Sequence, residues 1–186
     1  MANFKNVYES WKKNKIQFWK IQSEDIVWKT KPNKILDDTN APFYKWFPEA
    51  TLNTSYNAID RHVIAGRGEQ DAIIYDSPIT NVKRKISYSQ LQYQVSQFAG
   101  ALLNQGVKKG DRVIIYMPMI PEAIVSMLAC ARIGAVHSVV FGGFASNELA
   151  IRIDDCKPKI IISASCGHEP NRIIEYKPLL NKAIEI

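Results

Sequence analysis

From residue 71 onward the apolar residues of this chain follow two alternating rhythms, one of strands and one of helices. DAIIYD (71–76) and KRKISY (83–88) have the β-branched, extended character of strands, the second antiparallel or at an edge. Ser87 and Gln90 then make an S-x-x-Q capping box. Behind it Leu91, Val95, Phe98, Ala99 and Leu102 recur at helical spacing until Gly106 stops the run. KKGDRVIIYMP (108–118) reads as a turn and a buried strand. Pro118 and Pro121 introduce a helix over 120–134, with Ile124, Met127, Leu128 and Ala131 on its apolar face. VHSVVF (136–141) is a strand, SNELAIRIDDC (146–156) a helix, PKIIISA (158–164) a strand, and YKPLLNKAIEI (176–186) a helix.

This alternation, with near-continuous apolar strands, predicts an α/β fold: a largely parallel sheet with helices on both faces. Its crossovers are right-handed. Ligands of such sheets sit beyond the carboxyl ends of the strands. Those ends are Tyr116–Met119, Phe141–Ala145 and Ser163–Gly167.

The first fifty residues follow neither rhythm. Trp11, Phe18, Trp19 and Trp28 lie on short helical stretches without a fixed period, and KWFPEATLN (45–53) is an irregular aromatic connector. The predicted division is an extension over 1–55, wrapped over an incomplete α/β domain over 56–186. YNAIDRHV (56–63) should be a short helix and AGRGEQ (65–70) a loop. The last helical pattern carries no cap or stop, which predicts a fragment.

Composition narrows the function classes. With 46% hydrophobic and 23% charged residues, the chain is an ordinary globular protein, not a disordered one. The net charge of +6 could attract nucleic acid, but Lys12, Lys13, Lys15, Lys29, Lys31 and Lys34 are spread out, as on a solvated basic surface. Cys130, Cys156 and Cys166 match neither a metal knuckle nor a disulfide framework, so reduced thiols are expected. No apolar run approaches the ~20 residues of a membrane span. The start, with Glu9 and no arginine in its first nineteen residues, resembles neither a secretory signal nor an import leader. The expected setting is therefore cytoplasmic, with neither nucleic acid nor membrane as partner. Oligomeric state is open.

The segment GAVHSVVFGGFAS (134–146) holds the first candidate chemistry: two glycines between phenylalanines, after a strand and before a helix. A tight turn, a phosphate cradle and a ledge for a flat ligand such as a purine all fit this pattern. It is neither a Walker loop nor a G-x-G-x-x-G fingerprint. Arg172, in a loop with turn chemistry at Cys166-Gly167 and Glu169-Pro170, is placed either to fork onto a phosphate or to lie idle at the surface. His168 beside Glu169 reads as a solvated pair, and His137 as a core histidine bonded to backbone. Asp60-Arg61-His62 has no nucleophile elbow to serve, so an ion pair anchoring the extension is expected there. No His/Cys cluster implies a metal, and no residue is assigned a catalytic role.

Taken together, SYNAIDRH, the run from ISYSQLQYQ to PKIIISAS and GHEPNRIIEYKPLL resemble the N-terminal domain of AMP-forming acyl-CoA synthetases. Within that adenylate-forming superfamily they are most similar to the acetyl-/propionyl-CoA synthetase branch, and CGHEPNRIIEYKPLL leans toward the propionyl subgroup. The resemblance implies a ligase that uses ATP, Mg²⁺ and coenzyme A. A short-chain carboxylate such as acetate or propionate is activated to acyl-AMP, and the acyl group is then passed to CoA. It also implies CoA contacts at Phe141 and Gly143, beside the adenine, and at Arg172, on the 3′-phosphate. One departure stands out: relatives often carry two arginines in that loop, and Glu169 takes the first position here. The chain also contains no Thr/Ser/Gly-rich loop ending in Pro-Lys, which in the family cradles the ATP phosphates, nor the family's C-terminal catalytic lysine. By itself it should form no acyl-AMP. The alternative reading is a non-catalytic nucleotide- or CoA-binding module with the same fold.

Overall fold

The computed structural model describes residues 3–143 and 145–186. The chain divides into two compact units, Met1–Asn53 and Thr54–Ile186.

In the first unit, α1 (Phe4–Lys13) starts where the Asn3 side chain accepts a hydrogen bond from the Lys5 N–H. Asn14 ends α1 and caps α2 (Lys15–Gln22) by accepting from the Gln17 N–H at 3.0 Å. Four short strands follow, β1 (Trp28–Thr30), β2 (Leu36–Asp37), β3 (Lys45–Trp46) and β4 (Thr51–Leu52). They pair as two antiparallel ribbons, β1 with β4 and β2 with β3. Two-stranded ribbons are marginal unaided, and here edge-on and tilted aromatic rings pack against them. Trp19 meets Trp46 at 5.9 Å between centroids, and Phe47 lies 5.4 Å from Trp28. The Trp28 indole also donates to the Ser23 carbonyl at 2.9 Å. Ser23 is the one buried residue among those described in this unit, which thus rests on contacts between aromatic rings and not on an apolar core.

The second unit opens with a helical stretch over 54–67, wound with π-type turns at Tyr56–Asp60 and Val63–Arg67. The expected helix therefore continues through Ala65-Gly66-Arg67, a stretch whose composition predicts a loop, and Gly66 breaks its geometry at φ +79°. Asp60 differs from expectation too. Its carboxylate accepts from Arg132 at 2.7 Å and from Gln92 at 2.8 Å, tying this stretch to two other helices of the same unit.

β5 (Asp71–Ser77) and β6 (Val82–Ser87) form an antiparallel ribbon of their own. Ser87 and Gln90 make the expected capping box, and α3 (Tyr88–Asn104) buries Leu91, Val95, Ala99 and Leu102 on one face. Then come β7 (Arg112–Met117), α4 (Pro121–Ile133), β8 (Val136–Phe141), α5 (Ser146–Cys156) and β9 (Ile160–Ser163). The three strands form a parallel sheet in the order β8-β7-β9, with β7 in the centre. Residues 113–116 of β7 are fully buried because both faces are covered. Alternation along the strand sends Val113 into a core with α3 and α4. Ile114 and Tyr116 enter a second core with Val140, Leu149 and Leu180 on the opposite side.

The apolar face of α4 is rotated from the one read in the sequence. Ala123, Val125, Ser126, Ala129 and Cys130 are buried, whereas Ile124, Met127, Leu128 and Ala131 stay partly exposed. Small side chains let the helix backbone come close to its neighbours, and the long ones are left at the margins. Gly134, at φ +75°, closes the helix in the left-handed conformation.

After β9, the segment expected to be a loop is a β-hairpin, β10 (Cys166–Glu169) against β11 (Arg172–Glu175). It leads into α6 (Tyr176–Glu185). The turn chemistry at Glu169-Pro170 lies at the tip of the hairpin, while Cys166-Gly167 lies within β10. Among the described residues, no helix is long and apolar enough to cross a membrane.

Candidate functional site

Because β7, β8 and β9 run parallel, their carboxyl ends meet at one edge. Met117 stands opposite Phe141 and Tyr116 opposite Ser163. The backbone that follows β8 is Gly142-Gly143, and the backbone that follows β9 rises into the hairpin. The expected gathering of strand ends is thus present.

The two glycines have different surroundings. Gly142 is buried, and a methyl group added to it would collide with the Tyr176 hydroxyl and ring. Gly167 of β10 is buried against the same hydroxyl, which would lie 2.6 Å from a methyl placed there. Gly142 is therefore a socket for Tyr176, which corrects the picture of a paired-glycine ledge. Gly143 alone is exposed. The Phe141 side chain and the whole of Phe144 lie outside the described residues.

Tyr176 is a site residue that its sequence context does not reveal. Its N–H donates to the Ser165 carbonyl at 2.9 Å, and its ring packs 5.0 Å from that of Tyr116. Burial raises the pKa of both phenols, with Glu169 and Cys166 adding to the effect at Tyr176. Each stays a neutral ring that fills space. The available signal was a tyrosine opening a helix downstream of two strand-end glycines, but their proximity exists only in the fold.

Arg172 faces Glu169 across the hairpin, and its Nε donates to the Glu169 carboxylate at 2.7 Å. The acid at the departing position is thus the arginine's partner in this state. Their side chains are 69% and 44% exposed, so solvent screens the pair and leaves it easily exchanged. A dianionic phosphate offers the guanidinium fork a stronger partner than one exposed carboxylate. His168 is exposed beside them, its Nε2 3.9 Å from Cys166 Sγ. His137 is half-buried on β8, and burial lowers its pKa.

Elsewhere in this unit a hollow of about 490 Å³ opens between α3, α4 and the ends of β7 and β9. Phe98, Met117, Val125 and Ile162 line it, and an Arg84–Glu122 ion pair of 2.9 Å borders it. No group of three His, Cys, Asp or Glu among the described residues is placed to hold a metal ion.

Comparison with known proteins follows the same two-part division. Residues 60–184 match the AMP-binding enzyme family, and residues 4–58 match the acetyl-coenzyme A synthetase N-terminus family. The rat protein named acyl-CoA synthetase short-chain family member 3, mitochondrial (Rattus norvegicus), is 56% identical over 170 residues, 91% of this chain and 25% of the relative. Its human counterpart (Homo sapiens) is 52% identical over the same length and shares. Acetyl-coenzyme A synthetase of Streptomyces coelicolor is 48% identical over 178 residues, 96% of this chain and 27% of the relative. The chain thus spans about a quarter of the length of these relatives. It belongs to the AMP-binding enzyme family, with an acetyl-coenzyme A synthetase N-terminus segment ahead of the matching domain.

Proposed function

We propose that this chain forms the CoA-facing N-terminal part of an AMP-forming short-chain acyl-CoA synthetase. In that reaction a carboxylate oxygen attacks the α-phosphorus of ATP, with Mg²⁺ balancing the phosphate charge, and pyrophosphate leaves. The CoA thiol then attacks the acyl carbonyl of acyl-AMP, releasing AMP and giving acyl-CoA. This chain's own share is binding. Arg172 exchanges Glu169 for the CoA 3′-phosphate, and the exposed backbone of Gly143, with Phe141, borders the adenine. The observation that carries the reading is the placement of the Gly142-Gly143 turn and the Arg172 hairpin on either side of one residue, Tyr176, at the carboxyl edge of the sheet. Its three free cysteines fit a reducing compartment, and we assign it to the cytoplasm. Relatives named mitochondrial make the matrix the competing location, which imaging of a tagged chain decides.

Titrating the chain with CoA, 3′-dephospho-CoA and ATP while following thermal unfolding tests the binding role. CoA should bind roughly tenfold or more tightly than 3′-dephospho-CoA, as expected of a charge-assisted phosphate contact. Arg172→Ala should erase that difference. Equal responses to all three ligands would remove the support for Arg172 and Gly143.

The 186 residues include no Gly-rich loop ending in Pro-Lys to cradle ATP phosphates. Mixed with ATP, Mg²⁺ and acetate or propionate, the 186-residue chain should release no pyrophosphate above background. Release that scales with chain concentration overturns the assignment of ATP chemistry to other parts of the synthetase. CoA binding without any ligase activity in a longer chain favours the non-catalytic module instead.

A further inference from the structure

We infer that Tyr176 is a positioning residue, which sets the distance between the Arg172 hairpin and the Gly142-Gly143 turn. As a statement about CoA recognition, this rests on the function proposed above. The packing observations stand apart from it.

Three segments distant in sequence converge on this ring. Gly142 follows β8, Gly167 lies in β10, and Tyr116 is a fully buried residue near the carboxyl end of β7. Neither glycine has room for a methyl group while Tyr176 is in place. The two backbones therefore close around the tip of one phenol, Gly142 toward its Cε2 edge and Gly167 toward its Cε1 edge. The backbone of Tyr176 is fixed as well, through its N–H to Ser165 at the foot of the hairpin. Within the hairpin, register carries this fixation outward: Gly167 pairs with Ile174, and two residues along β10 Glu169 pairs with Arg172. Strand geometry advances about 3.3 Å per residue, so the Arg172 backbone lies roughly 7 Å along the hairpin from the level of the clamped glycine. A hairpin that tilts at Gly167 carries Arg172 with it, and a hydrogen bond to a phosphate tolerates little displacement. The ring touches neither substrate nor reacting atoms in this picture. It acts through Arg172.

The test compares the complete chain with Tyr176→Phe, Tyr176→Leu and Gly167→Ala, in two measurements. Hydrogen exchange reports the amides of 166–175 against those of α3. Equilibrium binding gives the affinity ratio of CoA to 3′-dephospho-CoA. Tyr176→Phe keeps the ring and should leave both readouts near those of the parent chain. Tyr176→Leu should speed exchange in the hairpin roughly tenfold, leave α3 unchanged and bring the affinity ratio close to one. Gly167→Ala pushes on the ring from the hairpin side with the tyrosine intact, and should do the same if Tyr176→Leu fails to fold. Unchanged hairpin exchange in a folded Tyr176→Leu chain overturns the inference. Faster exchange with an unaltered affinity ratio overturns the positioning role. A parent chain that shows no preference for CoA counts against the proposed function instead, and exchange alone then decides whether Tyr176 clamps the hairpin.

Discussion

Tyr116→Ala is expected to cost about 3–5 kcal/mol of folding stability, the usual toll of truncating a fully buried aromatic residue. Tyr116 occupies the central strand, has no exposed surface and packs its ring against Tyr176. Removing it opens a void between the sheet and the α5–α6 side and takes away the support on which Tyr176 leans. For a chain of this size each kcal/mol shifts the melting temperature by about 2–4 °C, so the transition should fall by roughly 6–20 °C. Urea unfolding checks the free energy directly, with an unchanged slope showing that the denatured state is not responsible. Tyr116→Phe, which keeps the ring, should lose far less. A loss under about 1 kcal/mol for the alanine variant would mean that this core collapses around the gap or is not packed as described.

The second large effect is electrostatic. Asp60 and Arg132 join residues 72 positions apart, at 2.7 Å, with side chains only 12% and 24% exposed. The Gln92 amide completes the carboxylate's hydrogen bonding. Asp60→Ala strips Arg132 of this carboxylate in a largely dry setting and should cost about 3 kcal/mol. Removing both charges, as in Asp60→Leu with Arg132→Leu, should restore much of that, because no charge is then stranded. A double-mutant cycle from urea unfolding measures the coupling. A coupling energy near zero would show that Asp60 is held by its helix alone.

Whether a feature is legible in the amino-acid sequence depends on how local its cause is. The capping box at Ser87 and Gln90, the Leu91–Leu102 stripe and the buried β7 strand depend on neighbours within a few turns, and each appears where its pattern puts it. The face of α4 does not. Ile124 and Met127 are the larger hydrophobes, yet the buried positions of the helix are held mostly by small residues such as Ala123, Ser126 and Cys130. The hairpin is hidden because His168 and Glu169 read as loop residues, and only strand register makes Glu169 the partner of Arg172. Gly142 is legible as important but not for the right reason. Turn, cradle and ledge all fit its pattern, while the cause is a tyrosine 34 positions later.

The order β8-β7-β9 has one more physical result. In this three-stranded sheet β8 and β9 each pair with β7 on one side, and no further strand among the described residues pairs with their outer sides. Val136 and Val139 add apolar surface along the β8 border. Such a border is a template onto which a strand from another chain can add. Mutual repulsion between copies, each carrying six excess positive charges, opposes that growth. The opposition reaches only about 8 Å at physiological ionic strength and shrinks further with added salt. Dilute, low-salt conditions therefore keep the molecules apart, and concentrated brine favours strand-to-strand accretion.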